Sequence, residues 1–150
     1  MLRPIALATA IAGTLDIIAA FIFAGMSGVP PLAALRFVAS GPFGDAIPAT
    51  PAWSLVGLLV HFAIMACMAA AYLLAARFIP ALLRSPVIAG LAYGVLLWGV
   101  MYWIVRPMRW PAMPLPHTAW DIGSALFSHC ILVGLPIALI AARYLRGARR

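Results

Sequence analysis

The chain has 150 residues, of which 66% are hydrophobic and 9% are charged. A soluble domain of this length needs more polar residues to cover its surface, so this composition excludes a soluble globular protein and indicates a polytopic membrane protein. The net charge of +7 comes from ten arginines, which lie where apolar segments end. That placement is typical of orientation signals and headgroup contacts, so we expect the lipid bilayer as a partner and no nucleic acid.

Four apolar segments predict transmembrane helices over about residues 4–26, 52–77, 86–105 and 120–143. Each covers about 20 residues or more, the length that ~30 Å of hydrocarbon requires. Open strands cannot lie in lipid. The predicted fold class is therefore all-α, a single domain formed by an integral membrane bundle of four transmembrane helices.

The connectors between these spans are rich in proline. Residues 27–51 contain five prolines. Within them, residues 31–40 have a proline at a natural helix start and predict a short interfacial or re-entrant helix, which GPFGD at 41–45 then ends. Residues 107–119 contain four prolines and cannot be helical throughout.

The arginines are unevenly divided between the two sides of the predicted bundle. The side of the termini carries Arg3, Arg77, Arg84, Arg143, Arg146, Arg149 and Arg150, and the other side carries Arg36, Arg106 and Arg109. Because basic residues accumulate in cytoplasmic segments, this distribution predicts that the N-terminus and the C-terminus are both cytoplasmic.

One aspartate and two histidines lie deep inside the predicted spans. Counted from the cytoplasmic ends of their helices, Asp16, His61 and His129 lie ~18, ~24 and ~21 Å into the membrane, near its middle. An aspartate at this depth costs ~3 kcal/mol or more on insertion scales, so it should face the bundle and find a partner. We therefore predict one buried polar cluster of Asp16, His61 and His129.

A weak internal repeat adds a fourth residue to this cluster. The string IAG at 11–13 recurs at 88–90, which aligns Asp16 with Tyr93, and the second and fourth spans align through His61 and His129. Such a repeat would relate two tandem helical hairpins by an axis along the membrane normal. It predicts two related pairs, Asp16 with His61 and Tyr93 with His129.

Three roles are open for the cluster. Its default role is structural, as interhelical hydrogen bonds of a membrane scaffold. The leading functional hypothesis is a proton-responsive transport or accessory component, because an Asp–His pair can hold a labile proton. The alternative is a b-type haem-binding electron carrier, in which His61 and His129 are the axial ligands and Gly57 and Ala125 leave room for the porphyrin.

Two features concern helix geometry. Gly90 and Gly94 form a GxxxG motif on the third span, which predicts a close contact with another helix. Pro136 lies seven residues after His129 and frees the carbonyl of Leu132, which predicts a local acceptor or a kink.

The remaining residues do not indicate an enzyme. Without Lys, Glu or a carboxylate pair, the chain has no visible machinery for hydrolysis, Schiff-base chemistry or phosphoryl transfer. Asp121 is most simply the N-cap of the fourth span. Cys67 and Cys130 lack metal-ligand spacing, so we expect no metal. A homo-oligomer or a membrane-protein partner is left open.

Five strings spread over most of the chain resemble a family of small, uncharacterised bacterial inner-membrane proteins with four helices: IAGTLD, VASGPFG, GLLVHFAI, IAGLAYGV and VGLPIALIAAR. LVHF around His61 and VGLPIA at 133–138 are the more specific ones. The chain departs from the family's glycine pair at Asp45-Ala46 and from its asparagine at Tyr102. The resemblance implies the fold and a location in the bacterial inner (cytoplasmic) membrane, and it implies no activity.

Overall fold

The computed structural model describes residues 1–147, and all the secondary structure within them is helical. Four helices are long and apolar enough to cross a membrane: the first span Leu2–Met26, the second span Pro51–Phe78, the third span Pro86–Arg109 and the fourth span Ala119–Arg146. This confirms the predicted all-α bundle of four transmembrane helices. Two arginines of the basic tail, Arg149 and Arg150, lie outside the described residues.

The bundle has two distinct ends. We call the end that carries residues 27–50 and 110–118 the connector end, and the end where Leu2–Met26 begins the terminal end. At the terminal end, Arg146 donates hydrogen bonds to the carbonyls of Leu83 and Arg84, which tie the end of the fourth span to the turn between the second and third spans.

Proline and threonine define where the helices begin. Pro51 and Pro86 lie in the first turns of the second and third spans, where a fixed φ and a missing N–H cost nothing. The fourth span is capped by Thr118, whose hydroxyl accepts a hydrogen bond from the backbone N–H of Asp121 at 3.0 Å. Thr118 is thus the N-cap, and the assignment of that role to Asp121 was wrong, because the helix already begins at Ala119.

A helix does lie in the first connector, over Pro31–Phe43, and we call it the connector helix. The helix extends three residues beyond the predicted Ser40 and ends within GPFGD, as predicted. Pro42 lies in its last turn, where a proline removes only one hydrogen bond, and the helix ends at Gly44 with a φ of 87°. The connector helix packs against the second span, and a Cβ atom at Gly57 would overlap the carbonyl of Leu35.

The third and fourth spans each contain a widened, π-helical stretch. In Val100–Val105, the N–H of Arg106 bonds the carbonyl of Met101, five residues back instead of four. The fourth span widens in the same way over Ser128–Gly134. Each stretch ends two residues before a proline, Pro107 in the third span and Pro136 in the fourth. A wider turn relieves the clash between a proline ring and the carbonyl four residues earlier, so the distortion predicted at Pro136 takes this form.

The first span packs against the second and fourth spans, and the third span packs against the fourth. The third and fourth spans meet through glycine, as the GxxxG motif predicted. A Cβ atom on Gly90 would lie 2.8 Å from the Cα of Leu135, and one on Gly94 would overlap the backbone of His129 and Cys130. This contact joins the two helices where the fourth span is π-helical.

Candidate functional site

Asp16 of the first span and His61 of the second span face each other inside the bundle. His61 is 6% exposed. Its Nε2 lies 2.9 Å from the carbonyl oxygen of Gly13, and its Nδ1 lies 4.0 Å from Oδ2 of Asp16. Because a carbonyl can only accept, Nε2 carries the proton and donates to Gly13. In the neutral imidazole, Nδ1 is then an unprotonated acceptor that faces the carboxyl group.

His129 approaches the same carboxyl group from the fourth span. Its Nδ1 lies 2.9 Å from the carbonyl oxygen of Ala125, one turn earlier in its own helix, so Nδ1 donates and Nε2 is the acceptor in the neutral ring. Asp16 interacts electrostatically with both His129 and His61. The predicted cluster of one aspartate and two histidines is therefore brought together by three different helices.

Tyr93, in contrast, does not pair with His129 as the repeat predicted. Its hydroxyl donates to the carbonyl of Met68 at 2.8 Å, and its ring lies 5.0 Å from that of Tyr72. The physical reason is depth. Counted from the terminal end of the bundle, Tyr93 lies only ~10 Å along its helix, whereas His129 lies ~21 Å along the fourth span.

Tyr102 takes the place that was expected for Tyr93. Its ring lies 5.8 Å from the His129 ring in an edge-on arrangement. The chain departs at this position from the family that it resembles, but the repeat predicted Tyr93 instead. Depth could have found it, because Tyr102 lies ~10 Å from the connector end, close to the level of His129.

Further polar groups continue from Tyr102 toward the connector end. The guanidinium carbon of Arg106 lies 5.6 Å from the centre of the Tyr102 ring. Asp121, near the start of the fourth span, interacts electrostatically with Arg106. Trp98, one turn deeper than Tyr102, stacks on its ring with a centroid distance of 6.4 Å. The third and fourth spans thus present polar and aromatic side chains from the connector end down to Asp16.

The geometry does not fit a haem between the two histidines. Both ring nitrogens of His61 are directed at protein groups, Nε2 at Gly13 and Nδ1 at Asp16. The space expected beside Gly57 is filled by the backbone of Leu35 in the connector helix. Within residues 1–147, no group of three His, Cys, Asp or Glu side chains is arranged to hold a metal ion.

Two charged residues at the connector end, Arg109 and Asp45, form a separate contact. Arg109 is the last residue of the third span. Its guanidinium donates to the carbonyl of Ser40 at 2.6 and 3.0 Å and to the carbonyl of Gly41 at 2.8 Å. It also pairs with Asp45 at 2.7 Å, although the Asp45 side chain is 74% exposed. This contact fixes the end of the connector helix to the third span.

No family model, curated protein or solved structure matches the chain significantly. The fold and the site define a multi-pass membrane protein whose bundle holds a buried carboxyl–imidazole pair. The functional argument therefore depends on the geometry of that pair.

Proposed function

We propose that this protein is a proton-responsive component of the bacterial inner membrane, acting in transport or as an accessory subunit, in which Asp16 and His61 bind and release a proton. The observation that carries the proposal is the orientation of His61. Its Nε2 is held by the Gly13 carbonyl at 2.9 Å, which directs Nδ1 toward the Asp16 carboxyl group at 4.0 Å. A proton between these groups has two acceptors and stays inside the bundle.

The protonation state of the pair determines its charge. With one proton shared, the pair is neutral overall, either as carboxylate and imidazolium or as carboxylic acid and imidazole. Without that proton, a carboxylate stands beside a neutral ring in the middle of the bilayer, which is costly. Because Asp16 and His61 lie on different helices, loss of the proton weakens the attraction between the first and second spans. His129 interacts electrostatically with the Asp16 carboxyl group from the fourth span.

The distribution of arginines supports a cytoplasmic location for the terminal end, and therefore for both termini. The resemblance to bacterial inner-membrane proteins supports that membrane, with the lipid bilayer as the immediate partner. We infer no enzymatic role, because the sequence has no Lys, no Glu and no carboxylate pair for hydrolysis, Schiff-base chemistry or phosphoryl transfer.

Infrared spectroscopy tests the proposal directly. The chain has only three acidic side chains, Asp16, Asp45 and Asp121, so a carboxylic-acid band is readily assigned. In nanodiscs titrated between about pH 4 and 9, we expect a carboxylic-acid band and the histidine ring bands to change together. Asp16→Asn should remove that band, whereas the matched changes Asp45→Asn and Asp121→Asn should leave it. A band that persists in Asp16→Asn would refute the proposal.

A structural role is the second candidate, because the hydrogen bond from His61 to Gly13 fixes the register of the first two spans. Interhelical hydrogen bonds of this kind contribute ~0.6–2 kcal/mol each. The folded yield separates the two roles. A proton site predicts that Asp16→Asn folds at near wild-type yield, and equal losses for Asp16→Asn and His61→Ala would indicate register alone.

A further inference from the structure

The connector helix and the end of the third span enclose a cavity of about 290 Å³ at the connector end. Six residues of mixed chemistry line it: Arg36, Phe37, Ser40, Asp45, Ile47 and Trp110. Ligand pockets begin at ~300 Å³, and one water occupies ~30 Å³. The cavity therefore has room for a small polar group, and not for a peptide segment or a whole lipid.

The cavity lies at the depth where the spans end. Trp110 directly follows the third span, which ends at Arg109. Nη1 of Arg36 donates to the hydroxyl of Ser54 at 3.3 Å, and Ser54 lies only ~4.5 Å along the second span from its start at Pro51. Tryptophan at helix ends is typical of the level of lipid headgroups. The groups that can reach this cavity from the bilayer are therefore headgroups.

Arg36 keeps most of its binding capacity for a ligand. Within residues 1–147, no carboxylate pairs with it, and its hydrogen bond to Ser54 leaves several N–H donors of the guanidinium unused. The other arginines of this end are engaged. Arg109 pairs with Asp45 at 2.7 Å, and Arg106 lies over the Tyr102 ring. Since a guanidinium fork matches the oxygens of a phosphate, Arg36 makes the cavity suitable for a phosphate group.

A second charge of opposite sign lines the same cavity. The Asp45 side chain is 74% exposed and receives Arg109 through Oδ1 alone, so among the described residues Oδ2 has no donor. The wall between the charged groups is apolar and fixed, because the rings of Phe37 and Trp110 stack with their centroids 4.6 Å apart. The cavity thus offers a cation and a carboxylate with an apolar surface that suits carbon atoms.

We propose that this cavity binds the headgroup of phosphatidylethanolamine, with its phosphate on Arg36 and its ammonium group on Asp45. The phosphate is negative and the ammonium is positive, so each charge of the headgroup meets a side chain of opposite sign. The acyl chains stay in the bilayer. Phosphatidylglycerol has the same phosphate but no ammonium, so it can use Arg36 alone. This inference does not depend on the proton function of Asp16 and His61.

Native mass spectrometry of the full chain in mild detergent tests the site, because it counts bound lipids. Phosphatidylethanolamine and phosphatidylglycerol with the same acyl chains are titrated in turn. We expect Arg36→Gln to weaken the binding of both lipids about 10-fold or more, and Asp45→Asn to weaken only phosphatidylethanolamine. The matched control is Arg84→Gln, which changes an exposed arginine at the terminal end and should leave both affinities unchanged.

Equal lipid binding by Arg36→Gln and Arg84→Gln would overturn the proposal, and so would equal weakening of both lipids in Asp45→Asn. Inorganic phosphate and soluble glycerophosphoethanolamine are then added to the lipid-bound protein. Retention of the lipid against millimolar inorganic phosphate is expected, whereas its displacement would identify a site for free phosphate and refute the lipid. If Arg36→Gln does not fold, Arg36→Lys, which keeps the charge and loses the fork, should weaken both lipids about 3-fold or more, and unchanged affinity there would also refute the site.

Discussion

Replacing Gly94 by alanine should separate the third span from the fourth. A Cβ atom at this position would lie 2.7 Å from the backbone nitrogen of Cys130, and closer still to the Cα of Cys130 and the carbonyl of His129. All three atoms belong to the backbone of a helix, so no side chain can rotate away. Since ordinary contact begins at 3.4 Å, the two helices must move apart by well over half an ångström.

The size of the effect follows from this displacement. A gap of 0.5–1 Å forfeits about a quarter to a half of the dispersion energy at each contact, and overpacked cores lose about 1–3 kcal/mol. Alanine gains about 1 kcal/mol of helix propensity over glycine, which offsets part of the loss. We therefore expect Gly94→Ala to lower the free energy of unfolding by about 0–2 kcal/mol once that gain is subtracted.

The matched control lies five residues further along the same helix. A Cβ atom on Gly99 would meet no atom within 4 Å, so Gly99→Ala should be neutral or stabilising by up to about 1 kcal/mol. The free energy of unfolding can be measured by titrating the detergent-solubilised protein with dodecyl sulfate and following tryptophan fluorescence. Equal stability of the two variants would refute the inference that glycine contact holds the third and fourth spans together.

Three other changes test neighbouring contacts. Gly57→Ala would overlap the carbonyl of Leu35, so amide hydrogen exchange of the connector helix should accelerate, and unchanged protection would argue against close packing on the second span. Arg109→Gln removes the donors to the carbonyls at the end of the connector helix, so it should loosen that helix more than Asp45→Asn does. The Asp45 side chain is 74% exposed, and an ion pair of this kind contributes about 0–1 kcal/mol. The rates of limited proteolysis near residue 45 compare the two variants. Tyr93→Phe should lower the free energy of unfolding by about 0.6–2 kcal/mol and leave the infrared band of the Asp16 carboxyl group unchanged. A change in that band would place Tyr93 at the site.

The sequence was sufficient for the four spans and for the polar cluster, and for the same physical reason. Long apolar segments have few alternatives in lipid, and an aspartate in the middle of one must find partners at its own depth. Counting residues from the helix ends placed Asp16, His61 and His129 at one level, and the structure places Asp16 4.0 Å from His61 and in electrostatic interaction with His129.

The sequence was not sufficient for the tyrosine beside His129. A repeat based on three matching letters selected Tyr93, whereas contact depends on depth and on rotation about the helix axis. A π-helical turn adds one residue and rotates everything beyond it by about 100°. Since Tyr102 and His129 both lie in such stretches, their mutual orientation depends on distortions that hydropathy does not record.

These distortions suggest that proline shapes the site from outside it, and Pro136→Ala tests this. Alanine restores an N–H that can bond the carbonyl of Leu132, which favours closing the wide turn to an α-helix. Glycine contact holds the backbone of residues 129–135 against the third span, so closing the wide turn must shift the register of this contact, which moves the His129 ring relative to Tyr102. We expect the His129 ring signals in an NMR spectrum to lose the ring-current shift of Tyr102, as in Tyr102→Leu, whereas Pro114→Ala in the connector should preserve it. An unchanged His129 signal in Pro136→Ala would mean that glycine packing, and not proline, maintains the wide turn.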